Sequence, residues 1–350
     1  MIFHKKPKTL TGLDLGSSSI KLVKLEDKSG SYSLEALAIK EMSTDVVVED
    51  EIKDKDALIY HLQSLIDQVE PDTKDVAISI AGHGVITDKI RMDKKSGDEA
   101  EQAILFEAEQ RSPFDVEDVT VDYHVISRDE ETRKMDVLLV AARNEFLKKY
   151  LDVFFDAGLN PVIVDTDAFA ILNAYEINYE MDPQKVIALL NLGFDTTNVI
   201  FLRDGIYHST RDISHGVRPV YEAIMKEFRL NPELALKTLK GEMGSSIDQD
   251  MLKATIATSA EDLISGLEIA FSYFKGSAEV PDVNWMVLSG GGALVPFLPE
   301  YIQNKLNIPM EIGNPLRNIE YDPDLFKEIE PEKIAPLLAV AVGLAARKVR

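Results

Sequence analysis

The stretch that most constrains this chain is GLDLGSSSIKLVKL, residues 12–25. A strand-like apolar run ends in the carboxylate of Asp14, turns through Gly16, Ser17, Ser18 and Ser19, and resumes as a second apolar strand carrying Lys21. A carboxylate at the end of a strand that reads as buried is costly unless something compensates it, and a bound cation is one such compensation. Gly16 lets the backbone come close to a ligand, while the serines offer hydroxyls and N–H donors. Lys21 follows the turn at a distance suited to reaching a negative group. These residues fit a hairpin that holds a phosphate together with a divalent metal. They also fit a plain hairpin with a serine-rich turn.

A second copy of the pattern narrows the choice. Residues 190–201, LNLGFDTTNVIF, repeat the apolar strand, the glycine turn with hydroxyls (Gly193, Thr196, Thr197) and the returning strand. Asn191 stands 177 positions after Asp14, and Gly193 the same distance after Gly16, about half of the 350 residues. Self-similarity at half-length predicts two related halves whose hairpins face each other across a cleft. A third element is the strand at residues 285–289, followed by Gly290, Gly291 and Gly292 and then a helical pattern through Phe297, Tyr301, Ile302 and Leu306. Three glycines between strand and helix predict close approach of a flat ligand to bare backbone. Val295 stands where a Rossmann fingerprint needs its last glycine, and no GxxxxGK[ST] occurs, so neither of those phosphate loops is present. Ser18 and Lys21 match an SxxK acylase signature, but the alternation from Ile20 onward is that of a strand rather than the required helix start.

Charge supports the same direction. The chain carries 38 basic against 60 acidic residues, a net charge of −22, which disfavours nucleic-acid partners and adhesion to anionic lipid. The same charge repels a nucleotide, so a nucleotide site needs local help from a metal, a lysine or backbone N–H groups. There are no cysteines, which excludes a disulfide framework, and the six histidines show no metal-ligand spacing. The basic stretch at residues 4–8 has no apolar run behind it, so no secretory signal is expected. The apolar stretch 336–346 is too short to span a bilayer, and its small residues predict a helix packed closely inside.

Along the chain, a strand at 31–39, an amphipathic helix at 56–69 and a strand at 75–80 predict an α/β sheet. From about 85 to 162 the character changes: a charged helix at 98–110 ended by Ser112 and Pro113, strands near 119–125 and 136–142, and a helix at 144–156 stopped by Gly158. This reads either as a small inserted α/β unit or as a continuation of the main sheet. Helices are expected at 220–228, after Pro232, and at 261–274, with a loop at 242–248.

The order of these motifs resembles the actin, heat-shock chaperone and sugar-kinase ATPase superfamily. GLDLGSSSIKLVKLE, FEAEQRSPFDVED, NLGFDTTNVIF and VLSGGGALVPFLPEYIQNKL together resemble the PilM family of type IV pilus assembly proteins, relatives of FtsA, over nearly the whole chain. The resemblance implies an α/β, actin-like (ribonuclease H-like) two-lobed ATPase fold. Residues 1–185 would form the first lobe, with an insert at about 85–162, and 186–350 the second, the C-terminal helix packing back on the first. It implies ATP with Mg²⁺. Asp14 would act through water in the metal shell; Gly16, Ser17, Ser18 and Lys21 would hold phosphate on one side, and Asn191, Gly193, Thr196 and Thr197 on the other. Gly290, Gly291 and Gly292 would contact the nucleoside, and Gly216 and Lys237 would line its pocket. The last two fit equally a loop glycine and a solvated helix lysine.

Departures from the family pattern favour binding over fast hydrolysis, making the chain at most a slow ATPase. Asn191 cannot act as a carboxylate base, Phe194 replaces a further acid, and Phe169 stands where a water-positioning glutamine is expected. Glu268 and Ile269 stand where relatives carry arginines. The implied function is a cytoplasmic scaffold held at the inner membrane by the N-terminal cytoplasmic tail of a PilN-like protein, with pilus motor ATPases and further copies of the chain as additional partners. The alternatives are an FtsA-like filament former, although the sequence ends without that family's membrane-binding helix, and a small-molecule kinase with Asp195 as its catalytic carboxylate.

Overall fold

A computed structural model describes residues 10–28, 30–69, 71, 73–111, 115–242, 247–276, 282–326 and 329–348. The basic stretch 4–8, the Ser112 and Pro113 helix stop and most of the 242–248 loop lie outside these. The chain opens with strands β1 (Thr11–Leu15), β2 (Ser19–Asp27) and β3 (Tyr32–Glu41), then short strands β4 (Val47–Val48) and β5 (Glu51–Ile52), helix α1 (Lys55–Val69) and β6 (Asp75–Ile80). Next come β7 (Val85–Asp93), α2 (Gly97–Arg111), β8 (Val119–Asp129), β9 (Lys134–Arg143), α3 (Asn144–Asp156), β10 (Asn160–Thr166) and α4 (Asp167–Asn178). The second half runs β11 (Ile187–Leu192), β12 (Thr197–Arg203), β13 (Ile206–Ile213), α5 (Arg218–Glu227), α6 (Pro232–Leu239), α7 (Gln249–Ser259), α8 (Glu261–Gly276) and β14 (Trp285–Ser289). It closes with α9 (Leu298–Leu306), β15 (Met310–Ile312), β16 (Ile319–Tyr321) and α10 (Ala339–Ala345).

The half-length repeat is a structural duplication. One sheet has the order β10-β6-β1-β2-β3-β16 and the other β13-β12-β11-β14-β15. Each contains an antiparallel hairpin, β1–β2 or β11–β12, whose first strand pairs in parallel with a later strand, β6 or β14. The hairpin registers correspond residue for residue: Asp14 pairs with Lys21 as Asn191 pairs with Asn198. Both first strands are apolar runs buried on both faces, as expected of strands covered by helices on each side.

Helices α4 and α10 lie between the sheets. Ala170, Ile171 and Tyr175 of α4 and Val340 and Leu344 of α10 share one core with Ala77 of the first sheet and Leu189, Ile200 and Val287 of the second. The small residues of α10 allow this: a Cβ on Gly343 would stand 1.7 Å from the Ala170 carbonyl oxygen, and one on Gly12 would stand 2.2 Å from that of Ala341. No helix among the described residues is long and apolar enough to cross a membrane.

Strands β7, β9 and β8 make a separate three-stranded sheet, covered by α2 through Ala100, Ile104 and Ala108. The sequence places this unit at about 85–162, but its sheet ends at Arg143. Helix α3 buries Phe146, Tyr150, Val153 and Phe154 in the core of α1 and the first sheet, and β10 pairs with β6. The C-terminal part likewise returns to the first sheet: β16 pairs with β3, and Phe326, Ala335 and Leu338 pack under Val23, Leu25 and Leu34. The sequence reading misses β13, an edge strand whose polar residues hide its alternation, and α7.

Candidate functional site

The two hairpins end in the same closure. Gly16 N–H donates to the Ser19 carbonyl at 3.2 Å, and Gly193 N–H donates to the Thr196 carbonyl at 2.9 Å. In the first hairpin Lys21 Nζ lies 3.1 Å from Asp14 Oδ2, both side chains about nine-tenths buried (11% and 10% exposed). Ser17 is buried, and the Ser18 carbonyl accepts the Met42 N–H at 2.9 Å. In the second hairpin Asn191 donates to Asn198 Oδ1 at 3.0 Å, and Asn198 donates to Asp212 Oδ1 at 2.9 Å, a ladder of side chains across β11, β12 and β13. Thr197 donates its hydroxyl to the His215 carbonyl at 2.6 Å, which fixes Thr197 within the wall, whereas Thr196 faces a cavity.

That cavity, about 400 Å³, lies between the lobes and is lined by Thr196, Asn198, Asp212, Asp167, Asp50 and Gly82 among others. It is rich in carboxylates. Burial, then the charge of Asp14, raises the Asp167 carboxyl to about 8, and Asp50 and Asp212 add to this against an opposing hydrogen bond with Ser79. Burial, then Asp212, Asp195 and Glu49, raises Asp50 to about 7. Asp212 reaches solvent yet is raised by the protein mass around it, against hydrogen bonds with Asn198 and the Gly82 N–H. Burial raises all three carboxyls and repulsion adds to it at Asp167 and Asp50, a balance that a bound cation would relieve, and a hard divalent ion prefers oxygen donors. No group of three or more acidic, histidine or cysteine side chains among the described residues converges closely enough to hold a metal alone. A hard divalent ion bound here would keep several waters and take further oxygens from a bound phosphate.

Asp167 and Asp50 are absent from the sequence reading. Asp167 opens α4 directly after Thr166, whose hydroxyl caps the helix by accepting the Phe169 N–H at 3.3 Å. A carboxylate at the end of β10, like Asp14 at the end of β1, is the signal that was there to find.

The remaining candidates separate by role. Gly216 supports the second hairpin: a Cβ there would lie 2.5 Å from the Phe194 carbonyl and 2.6 Å from that of Gly193. The next two residues hydrogen-bond these carbonyls, Val217 N–H to Gly193 at 3.1 Å and Arg218 N–H to Phe194 at 2.8 Å. In the glycine triplet, Gly290 has φ +84° and a Cβ there would stand 2.5 Å from the Leu192 carbonyl. A Cβ on Gly292 would stand 2.1 Å from Leu192 Cγ. Tight packing on β11 thus requires two of the three glycines, and only Gly291 keeps ordinary room, with Leu337 at 3.5 Å. Lys237 is exposed on α6 and pairs with Glu233 at 2.7 Å; it does not line the cavity.

Asp195 is not available as a catalytic base. Its side chain is 1% exposed and lies against the Arg218 guanidinium. Arg218 Nη2 donates to Oδ2 at 2.9 Å, and the same oxygen accepts the Glu49 N–H at 2.9 Å.

Solved structures place this geometry. The chain is similar to a structure titled PilM-PilN type IV pilus biogenesis complex, with 25% identity, a TM-score of 0.85, and 97% of this chain and 98% of that chain covered. The ethanolamine utilization protein EutJ from Carboxydothermus hydrogenoformans matches at 16% identity and a TM-score of 0.56, over 99% of this chain and 92% of that one. MreB 5 of Spiroplasma citri bound to AMPPNP matches at 12% identity and a TM-score of 0.51, over 97% and 95%. The fold is therefore the actin-like, two-lobed one. The family described as Type IV pilus assembly protein PilM matches residues 12–349, and the chain belongs to that family.

Proposed function

We propose that this chain is a nucleotide-binding scaffold of the type IV pilus assembly machinery. It takes ATP with Mg²⁺ between its lobes and binds the N-terminal cytoplasmic tail of a PilN-like inner-membrane protein. The observation that carries the nucleotide half is the pair of matching glycine turns, at residues 16–19 and 193–196, with Thr196 of the second turn lining a cavity crowded with carboxyls. The likeness to a PilM-PilN complex supports the partner half, and the likeness to AMPPNP-bound MreB supports the ligand class.

In this reading backbone N–H groups and hydroxyls of Ser17, Ser18 and Thr196 hold phosphate oxygens, Gly16 and Gly193 closing the two turns that present them, with Thr197 fixing its turn. Asp14 and Asp167 would hold Mg²⁺ through water, and Lys21, 3.1 Å from Asp14, would meet phosphate. Mg²⁺ supplies charge neutralisation for the polyphosphate. Asn191 orients a water but cannot take its proton, and Asp195 is committed to Arg218 and Glu49, so hydrolysis is slow. The same commitment of Asp195 weighs against a small-molecule kinase. A scaffold of this kind works on the cytoplasmic face of the inner membrane through its partner.

Calorimetric titration of Mg·ATP into wild type and Asp14→Asn, with phosphate release followed in parallel, tests the nucleotide half. Binding weakened at least about tenfold in the variant, with little release, is expected; a folded wild type that binds no Mg·ATP overturns it. Titration of a PilN-type tail peptide tests the partner half, and absence of binding overturns that.

A further inference from the structure

Residues 42–53, between β3 and α1, run from one hairpin to the other. At the start of this segment Met42 donates its N–H to the Ser18 carbonyl of the first hairpin at 2.9 Å. Further on, the Thr44 carbonyl accepts from Arg218 Nη2 at 2.9 Å, and Asp195 of the second hairpin accepts the Glu49 N–H at 2.9 Å. The segment is closed on itself as well: Lys53 N–H donates to the Val46 carbonyl at 2.9 Å, and Val46 and Val47 are anchored in the first-lobe core. Glu49 and Asp50 form one wall of the cavity.

The tip of the segment is a tight hairpin turn fastened from both lobes. Glu49 and Asp50, with φ of +50° and +61°, are the two central residues of the hairpin turn between β4 and β5, where Val48 pairs with Glu51, and such a two-residue turn takes positive φ at both positions. From the other lobe this turn is held by the Asp195 carboxylate, which accepts the Glu49 N–H and is itself oriented by the Arg218 fork; the guanidinium also carries a cation–π contact to Phe194 at 4.8 Å. Beyond the cavity the segment meets the root of the three-stranded unit. Tyr150 donates its hydroxyl to the Asp50 carbonyl at 2.8 Å, and the Asp50 carboxylate fills the space above Gly82, just before β7.

We infer that residues 42–53 are a strap that gates the cleft, latched across the lobes by Asp195 and Arg218, and that unlatching it lets the bound nucleotide leave. The strap is fastened to both turns, through Met42 to Ser18 and through Glu49 to Asp195, so a change at either turn reaches it directly. Its far side holds the base of the three-stranded unit, so the same release loosens the contact of that unit with the cleft. That unlatching speeds nucleotide release rests on the nucleotide-binding reading above; that the latch holds the strap does not.

Hydrogen exchange of the nucleotide-free full chain, compared between wild type, Asp195→Asn and Arg218→Met, tests the latch. Peptides covering residues 42–53 are expected to exchange roughly tenfold faster or more in both variants while β1 and β11 stay protected. Unchanged exchange in 42–53 overturns the latch. Should Arg218→Met not fold, Arg218→Lys, which keeps the charge but loses the fork, is read in the same way. Release of a fluorescent ATP analogue, chased with unlabelled Mg·ATP, is expected about fivefold faster or more in the variants; an unaltered release rate with a freed strap overturns the gate. A wild type that binds no nucleotide defeats the reading of the previous section, while the exchange measurement still decides the latch.

Discussion

Lys21 Nζ lies 3.1 Å from Asp14 Oδ2, directly across the first hairpin, where the two are register partners. Both are almost fully enclosed, so removing one leaves the other as an uncompensated buried charge. Lys21→Met is expected to destabilise the nucleotide-free protein by about 2–4 kcal/mol, and Asp14→Asn combined with it to recover much of that loss. Denaturant unfolding of the four proteins of this cycle measures it; additive single effects would show that the pair is not coupled.

The glycine triplet separates packing from ligand contact. Gly292→Ala meets Leu192 Cγ at 2.1 Å and should cost about 1–3 kcal/mol of stability. Gly291→Ala has ordinary room and no positive φ, so its stability should stay within about 0.5 kcal/mol of wild type. Thermal unfolding checks both. A stable Gly291→Ala protein with weakened Mg·ATP binding would assign that glycine to the nucleoside.

Asp167 makes the cleft pH-sensitive with a definite sign. Its carboxyl titrates near 8 and that of Asp50 near 7 in the folded chain, against about 3.9 for an unperturbed Asp. The folded state therefore retains protons that the unfolded chain has lost. Their contribution to stability is fully present below about pH 4 and declines as pH rises through 7 to 8. Asp167→Asn should flatten this decline. The difference in Tm between variant and wild type, followed from pH 5 to 9 without divalent ions, should grow with pH; a constant difference would refute the assignment.

Lys237 offers a control. It is exposed and paired with Glu233 one helical turn away, an arrangement worth little to stability. Lys237→Met should change the Mg·ATP dissociation constant by less than about twofold, whereas Thr196→Ala, at the cavity wall, should weaken binding by roughly fivefold or more. Calorimetry of both variants tests it, and a strong effect of Lys237→Met would restore it to the site.

Much of the fold is legible in local pattern. Strand pairs with a glycine turn and hydroxyls, repeated 177 positions apart, announce two homologous hairpins because register and turn chemistry are local properties of a strand pair. The small residues of α10 announce a close-packed helix for the same reason: only short side chains allow the approach seen at Gly343 and Ala170. Edge strand β13 escapes because its alternation mixes polar residues on both faces.

The site is less legible. Asp14, Gly16, Gly193 and Thr196 announce themselves by spacing, but Asp50, Asp167 and Asp212 come from three separate segments that nothing local connects. Asp195 shows how composition misleads: in the sequence it is a carboxylate beside a phosphate turn, and in the structure it is the acceptor that holds a strap from the other lobe. The sequence by itself determined the paired hairpins, the duplicated α/β architecture and the chemistry available at the turns, since periodicity and turn residues act over a few positions. Only the tertiary structure decided which carboxyls share the cleft, which glycines serve packing and which acid is spent on a latch. Those outcomes depend on burial and on distances between residues far apart in the chain, and both exist only once the lobes have closed on each other.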